Sequence, residues 1–215
     1  MAAKKSPDIL TLYMDSVLEH EKYPLSVYKF CKVNKIEEQD FYKKYASLDT
    51  IKHHVWQVFF DNTVQLLHKN DGYEAMSRKD RLLTFYFTFF EVLLLNRSYV
   101  LFALKGSENP MTAMGQLKHL RSSFKAFTTE LIEEGNDDKS LSLTKHPVGL
   151  FSEAAWSQLL FILKFWLDDT SPGFEKTDAA IEKSITVAFD VFDNTQLEAL
   201  VDLGKFLWKE KISKN

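Results

Sequence analysis

The chain has 215 residues, 45% hydrophobic and 27% charged, a composition that suits one large or two small globular domains. Its net charge of -3 excludes a protein that is basic overall, so any nucleic-acid contact must come from a local patch. Seven glycines and five prolines are too few for a fold of many short strands, and the single cysteine, Cys31, excludes an internal disulfide.

Helical spacing of apolar residues recurs along the chain, and long period-2 alternation does not, which predicts an all-α fold of about nine helices. Ser6 and Pro7 mark the start of a first helix with Ile9, Leu10, Tyr13 and Val17 on one face. Ser26 caps a short second helix to about Asn34, with Phe30 and Cys31 inward. Lys35-Ile36 makes a turn, and a third short helix runs from about Glu37 to Tyr45. Ser47 caps a fourth helix to about Asn70, carrying Ile51, Val55 and Phe59. Ser77 and Asp80 resemble a capping box that opens a long helix.

The stretch Leu82 to Leu104 is long and apolar enough to cross a bilayer, but Glu91, Asn96 and Arg97 sit near its middle. A central helix buried among other helices, with no membrane span, is the expectation. A further amphipathic segment covers Met111 to about Glu134, and residues 135–147 read as a polar loop. Phe151 to Asp168 is a second strongly apolar helix, ended by Ser171-Pro172-Gly173. Two helices close the chain, about Glu175 to Phe192 and Thr195 to Ile212. The start, MAAKKSPD, has no apolar core of a secretory signal, which fits a cytoplasmic protein.

Residues 30 to 51, FCKVNKIEEQDFYKKYASLDTI, combine a small helix, a tight turn and a helix ending in Phe41-Tyr42-Lys43-Lys44-Tyr45, then the Ser47 cap. This segment resembles the helix-turn-helix of TetR-type regulators, and the following helices match that family's layout. The resemblance implies a small three-helix DNA-binding domain over residues 1–50. It implies a larger helical domain for ligand binding and dimerisation over 51–215. It also implies double-stranded DNA as a partner, with contacts from Ser26, Lys35, Gln39, Tyr42, Lys43 and Lys44.

Several residues depart from the family pattern. Lys35 stands where the turn usually has Gly, so it must adopt a positive φ or form another turn. Glu37, Glu38 and Asp40 replace small polar residues at the start of the recognition helix, and Leu48 replaces a basic residue after the cap. Carboxylates there satisfy the positive helix end from within and repel phosphate. From Pro24 to Lys52 there are six lysines against four acids, a small excess for a DNA-binding module. The alternative is therefore a TetR-fold carrier that has lost DNA binding and holds a lipid or quinone-like molecule.

The aromatic stripe of Phe85, Phe87, Phe89 and Phe90, with Trp156, Phe161 and Trp166, fits either core packing or the walls of an apolar ligand pocket. The pocket version places a small apolar ligand among Phe87, Phe90, Leu94, Trp156, Leu160 and Phe161, with Glu91 and Arg97 as polar handles. A homodimer is expected through the last two helices. Ile181, Ile185, Ala188, Phe189 and Phe192 form one face, and Leu197, Leu200, Val201, Leu207 and Trp208 the other. The six histidines include no His-x-x-x-His pair, and there is no phosphate-cradling glycine loop. No enzyme activity, metal or cofactor is expected.

Overall fold

The computed structural model describes residues 8–106, 110–137 and 146–193. Among them are ten α-helices and no strand. The expected cap at Ser6 and the expected last helix, 195–212, lie outside the described residues.

The first three helices form as local chemistry dictates. α1 (Ile9–His20) buries Ile9, Leu10, Tyr13 and Val17, which recur at helical spacing. α2 (Val27–Asn34) is capped by Ser26, whose Oγ accepts the Lys29 N–H at 3.2 Å. Such a cap contributes about 1 kcal/mol. Lys35 ends α2 in the left-handed region, φ 55°, so the turn takes a positive φ without glycine. α3 (Glu38–Lys44) follows, and rings hold the three helices together: Tyr13 meets Phe30 edge-on, Phe30 meets Phe41, and Phe41 meets Tyr45. Ser47 then caps α4 (Leu48–Leu67) by accepting the Thr50 N–H at 3.1 Å.

The apolar run expected to be one helix is two: α5 (Arg78–Leu95) and α6 (Arg97–Lys105), bent by 90°. The cause is Asn96, whose backbone leaves helical geometry while its side-chain amide donates to the Val92 carbonyl at 2.9 Å. The bend removes the straight apolar rod that a span over this stretch would need. The next expected helix also divides, into α7 (Pro110–Gly115) and α8 (Lys118–Asp137). α8 runs on through Gly135 and Asn136, which were expected in a loop. Asn136 is buried and clasps the backbone of His146, donating to its carbonyl at 3.0 Å and accepting its N–H at 2.7 Å.

α9 (Val148–Asp168) and α10 (Glu175–Asp193) pack on one another. Their connection is tied by the buried Asp169, which accepts from both the backbone and the hydroxyl of Ser171 and of Thr177. Burial alone would raise this carboxyl, but the four hydrogen bonds outweigh it and hold it well below the usual carboxylate range. Gly173 takes φ 61° in the turn, a conformation that disfavours side chains.

The expected dimer face on α10 is corrected at two positions. Ile181 and Ile185 are fully buried within the protomer and cannot meet a partner. The apolar surface that remains outside belongs to Val187 and Val191 on α10 and to Leu150, Phe161 and Phe165 on α9. Among the described residues, α9 is the one unbroken helix long and apolar enough to cross a membrane, by length and composition.

By packing, the described chain forms two compact units. The first draws on Met1–Lys69 and Thr88–Phe124, the second on Asn70–Phe87 and Lys125–Asn215.

Candidate functional site

In the first unit α3 turns Phe41 fully inward and leaves Gln39, Tyr42, Lys43 and Lys44 exposed. Ser26 and Lys35 flank this face at the two ends of α2, Ser26 half-buried with its side chain engaged as a cap and Lys35 exposed. The six residues expected to meet DNA thus belong to one helix-turn-helix. Gln39 and Tyr42 hold no hydrogen bond among the described residues, so both offer their polar ends outward.

The charges are arranged less simply than the sequence suggests. Lys43 is paired with Asp40 at 2.7 Å and Lys44 with Asp8 at 2.8 Å. The hydrogen bond from Lys44 lowers the Asp8 carboxyl below its ordinary value, against the opposing effect of partial burial. Lys52 lies 4.1 Å from the centre of the Tyr23 ring and 3.8 Å from Asp49. Among the described residues, Lys29, Lys32 and Lys35 have no carboxylate within ion-pair distance. Lys32 instead reaches the Tyr28 hydroxyl at 3.5 Å. Among the described residues, lysine charge without a carboxylate partner therefore lies along the α2 segment, not on α3. Sequence reasoning missed both Asp8, which is 36 positions from Lys44, and the exposed set Tyr28, Lys29 and Lys32. Helical spacing puts 28, 29 and 32 on one side of α2, and that signal was available.

Neighbouring ionisable groups serve packing. His54 Nδ1 lies 3.0 Å from the Tyr45 hydroxyl, and His53 rests against His119 with ring centres 5.6 Å apart. Cys31 is buried, and burial first, then the nearby Glu38, pushes its thiol up, the opposite of activation. No cluster of three metal-ligating side chains occurs among the described residues.

The residues expected around an apolar ligand are distributed over both units. Phe90, Glu91, Leu94 and Arg97 belong to the first, and Phe87, Trp156, Leu160 and Phe161 to the second. Phe90 and Trp156 are buried, Phe87, Leu94, Arg97 and Leu160 half-buried, and Glu91 and Phe161 exposed.

The second unit contains a cavity of about 280 Å³ with other walls. Leu82 of α5, Leu131 and Ile132 of α8, Phe151, Ala154 and Ala155 of α9, and Ala188 and Phe189 of α10 line it. Of its polar side chains, Gln158 donates to the Ser184 hydroxyl at 3.0 Å and Thr128 donates to the Lys125 carbonyl at 3.2 Å. Three alanines explain the space, because small side chains leave a gap where aromatic ones close it. Phe85 and Phe127 of the same unit stack at 4.7 Å. A cleft of about 650 Å³, lined by Arg78, Lys79, Arg81, Glu134 and Asp137 among others, adjoins the cavity, and Arg78 and Phe189 line both.

A family model for the tetracyclin repressor-like, C-terminal domain matches residues 81–207, more than half of the chain. The chain belongs to the TetR family. Its fold is found in solved structures of other TetR-type proteins. One, described as a TetR-family transcriptional regulator from Syntrophomonas wolfei, aligns with TM-score 0.65 and 15% identity, covering 87% of this chain and 94% of the other. The fatty acid degradation regulator FadR from Bacillus halodurans aligns with TM-score 0.57 and 15% identity, covering 87% and 96%. A TetR-family protein from Shewanella sp. PV-4 aligns with TM-score 0.55 and 14% identity, covering 86% and 93%. No curated protein matches the chain in sequence. These likenesses to TetR-family structures establish the all-helical TetR fold.

Proposed function

We propose that the chain is a cytoplasmic, ligand-responsive transcriptional regulator that binds double-stranded DNA as a homodimer. The observation that carries this reading is the outward face of the helix-turn-helix. Among the described residues Gln39 and Tyr42 extend from α3 without a hydrogen bond, beside Lys29, Lys32 and Lys35 of the α2 segment, which no carboxylate holds. Side chains of this kind read base edges and bind phosphates, respectively. Two copies would set their recognition helices in successive major grooves, and a ligand in the body would change their separation and weaken operator binding. The exposed apolar residues Leu150, Phe161, Phe165, Val187 and Val191 on α9 and α10 support a pairing face, since a helix pair of this kind closes by two-fold contact with its copy.

A second reading keeps the fold and removes the DNA. Asp40 and Asp8 hold Lys43 and Lys44, which favours a carrier for a lipid or quinone-like ligand. The double change Glu37→Ser with Asp40→Thr separates the two when compared with the parent on genomic DNA fragments at low salt. A regulator tightens on a fragment the parent already prefers. A carrier shows no preferred fragment, and its variant acquires only non-specific attraction.

A further inference from the structure

We propose that the cavity and the adjoining cleft of the second unit together bind an amphiphile with an apolar tail and an anionic head. This rests on the ligand-responsive reading above and names the class of ligand. The cavity offers Leu82, Leu131, Ile132, Phe151 and Ala155. Gln158 and Ser184 bond to one another, so apart from Arg78 at its border the cavity presents mainly apolar side chains to an occupant. Its 280 Å³, at ~30 Å³ per water-sized group, holds about nine such groups.

The cleft has the opposite chemistry. Its lining carries Arg78, Lys79 and Arg81 against Glu134 and Asp137; Glu134 is paired with Arg81, while Lys79, half-buried in the same wall, has no ion pair among the described residues. Arg78 borders both spaces, so a molecule whose tail fills the cavity brings its head to Arg78 and Lys79. A neutral hydrocarbon or quinone would leave Lys79 without a counter-charge. A small anion would leave the apolar cavity empty. One molecule with both parts matches both walls.

The test uses the full chain and calorimetric titration without DNA, with decanoate, 1-decanol and butanoate as probes below micellar concentration. Decanoate is expected to bind about tenfold more tightly than decanol, as one charge-assisted contact allows, and butanoate not measurably. Lys79→Gln should bring decanoate to within about threefold of decanol and leave decanol unchanged. Ala155→Phe, which fills the cavity, should weaken both decyl probes by about tenfold or more while the far-ultraviolet dichroism stays that of the parent. Ala188→Leu is the smaller filler if Ala155→Phe does not fold.

Equal affinity of the parent for decanoate and decanol would overturn the proposal. So would a charge preference that survives Lys79→Gln, or a folded filling variant that binds like the parent. The effect of decanoate on DNA affinity is measured separately. Binding as expected with no effect on DNA supports the site and refutes the regulatory reading. Ligand-sensitive DNA binding without decanoate binding refutes the site and leaves regulation standing.

Discussion

In the proposed complex with DNA, Asp8 and Asp40 set how much of the positive charge on α3 is available to phosphate. Changing both to Asn releases Lys44 and Lys43, whose ammonium groups now lie 2.8 and 2.7 Å from the carboxylates. All four side chains are more than half exposed, so each pair contributes only ~0–1 kcal/mol and the fold tolerates the loss. The effect on binding is larger. Two lysines per protomer are four per dimer, and each phosphate neutralised adds about 0.9 to the slope of log affinity against log salt. The double variant should therefore steepen that slope by up to about 3.6. Between 50 and 200 mM salt, this corresponds to roughly a hundredfold greater loss of affinity. Anisotropy of a labelled genomic fragment across that salt range measures it. The control is Asp61→Asn with Asp71→Asn, which changes the net charge equally at exposed positions that hold neither lysine. A slope equal to that of the control would show that Lys43 and Lys44 do not face phosphate, and the account of the recognition helix would fail.

Two further outcomes concern stability. The Tyr99 hydroxyl is buried without a hydrogen-bond partner among the described residues, and burial pushes it well above the ordinary phenol range. Tyr99→Phe should then be neutral or stabilising by up to ~2 kcal/mol in urea unfolding, and a loss of more than ~1 kcal/mol would mean that a bound water satisfies the group. Asp169→Asn should lower the melting temperature at pH 7. Because the folded carboxyl lies below its unfolded value, its contribution is fully present above about pH 4 and fades as pH falls through the lowered folded value. The deficit of the variant should thus shrink at pH 3, and an unchanged deficit would rule out the charged form as the source of the effect.

What could be read from sequence follows the range of the interaction. Ser26, Ser47 and Ser77 each cap by a bond to the residue three positions on, and all three were legible. The break at Asn96 was not, because the surrounding apolar run carries the stronger periodic signal. The face of α10 was legible as apolar, but periodicity does not say which neighbour covers it. Ile181 and Ile185 are in the interior of the protomer. The same limit applies to the sites. The exposed face of α3 follows from seven residues of local pattern, while the bond from Lys44 to Asp8 depends on the fold bringing distant residues together. The cavity lay hidden because attention goes to Phe and Trp, whereas the space is made by Ala154, Ala155 and Ala188, which do not fill it.

The acidic start of α3 bears differently on the two parts of DNA binding. Non-specific binding is essentially the sum of phosphate contacts, so every lysine held by a carboxylate reduces it directly. Sequence discrimination comes from side chains at base edges, and in the proposed complex those are Gln39 and Tyr42, whose polar ends hold no hydrogen bond among the described residues. In the proposed complex Asp8 and Asp40 thus weaken attraction to all DNA while leaving Gln39 and Tyr42 available. Because the phosphate contribution is common to both modes, the two affinities fall together, and the ratio between them is set by the residues at base edges. A helix-turn-helix with its α3 lysines paired and, among the described residues, no carboxylate on those of α2 is consistent with a regulator of modest affinity. By that argument the carboxylates beside α3 lower the strength of DNA binding at every sequence, and discrimination between sequences is left to Gln39 and Tyr42.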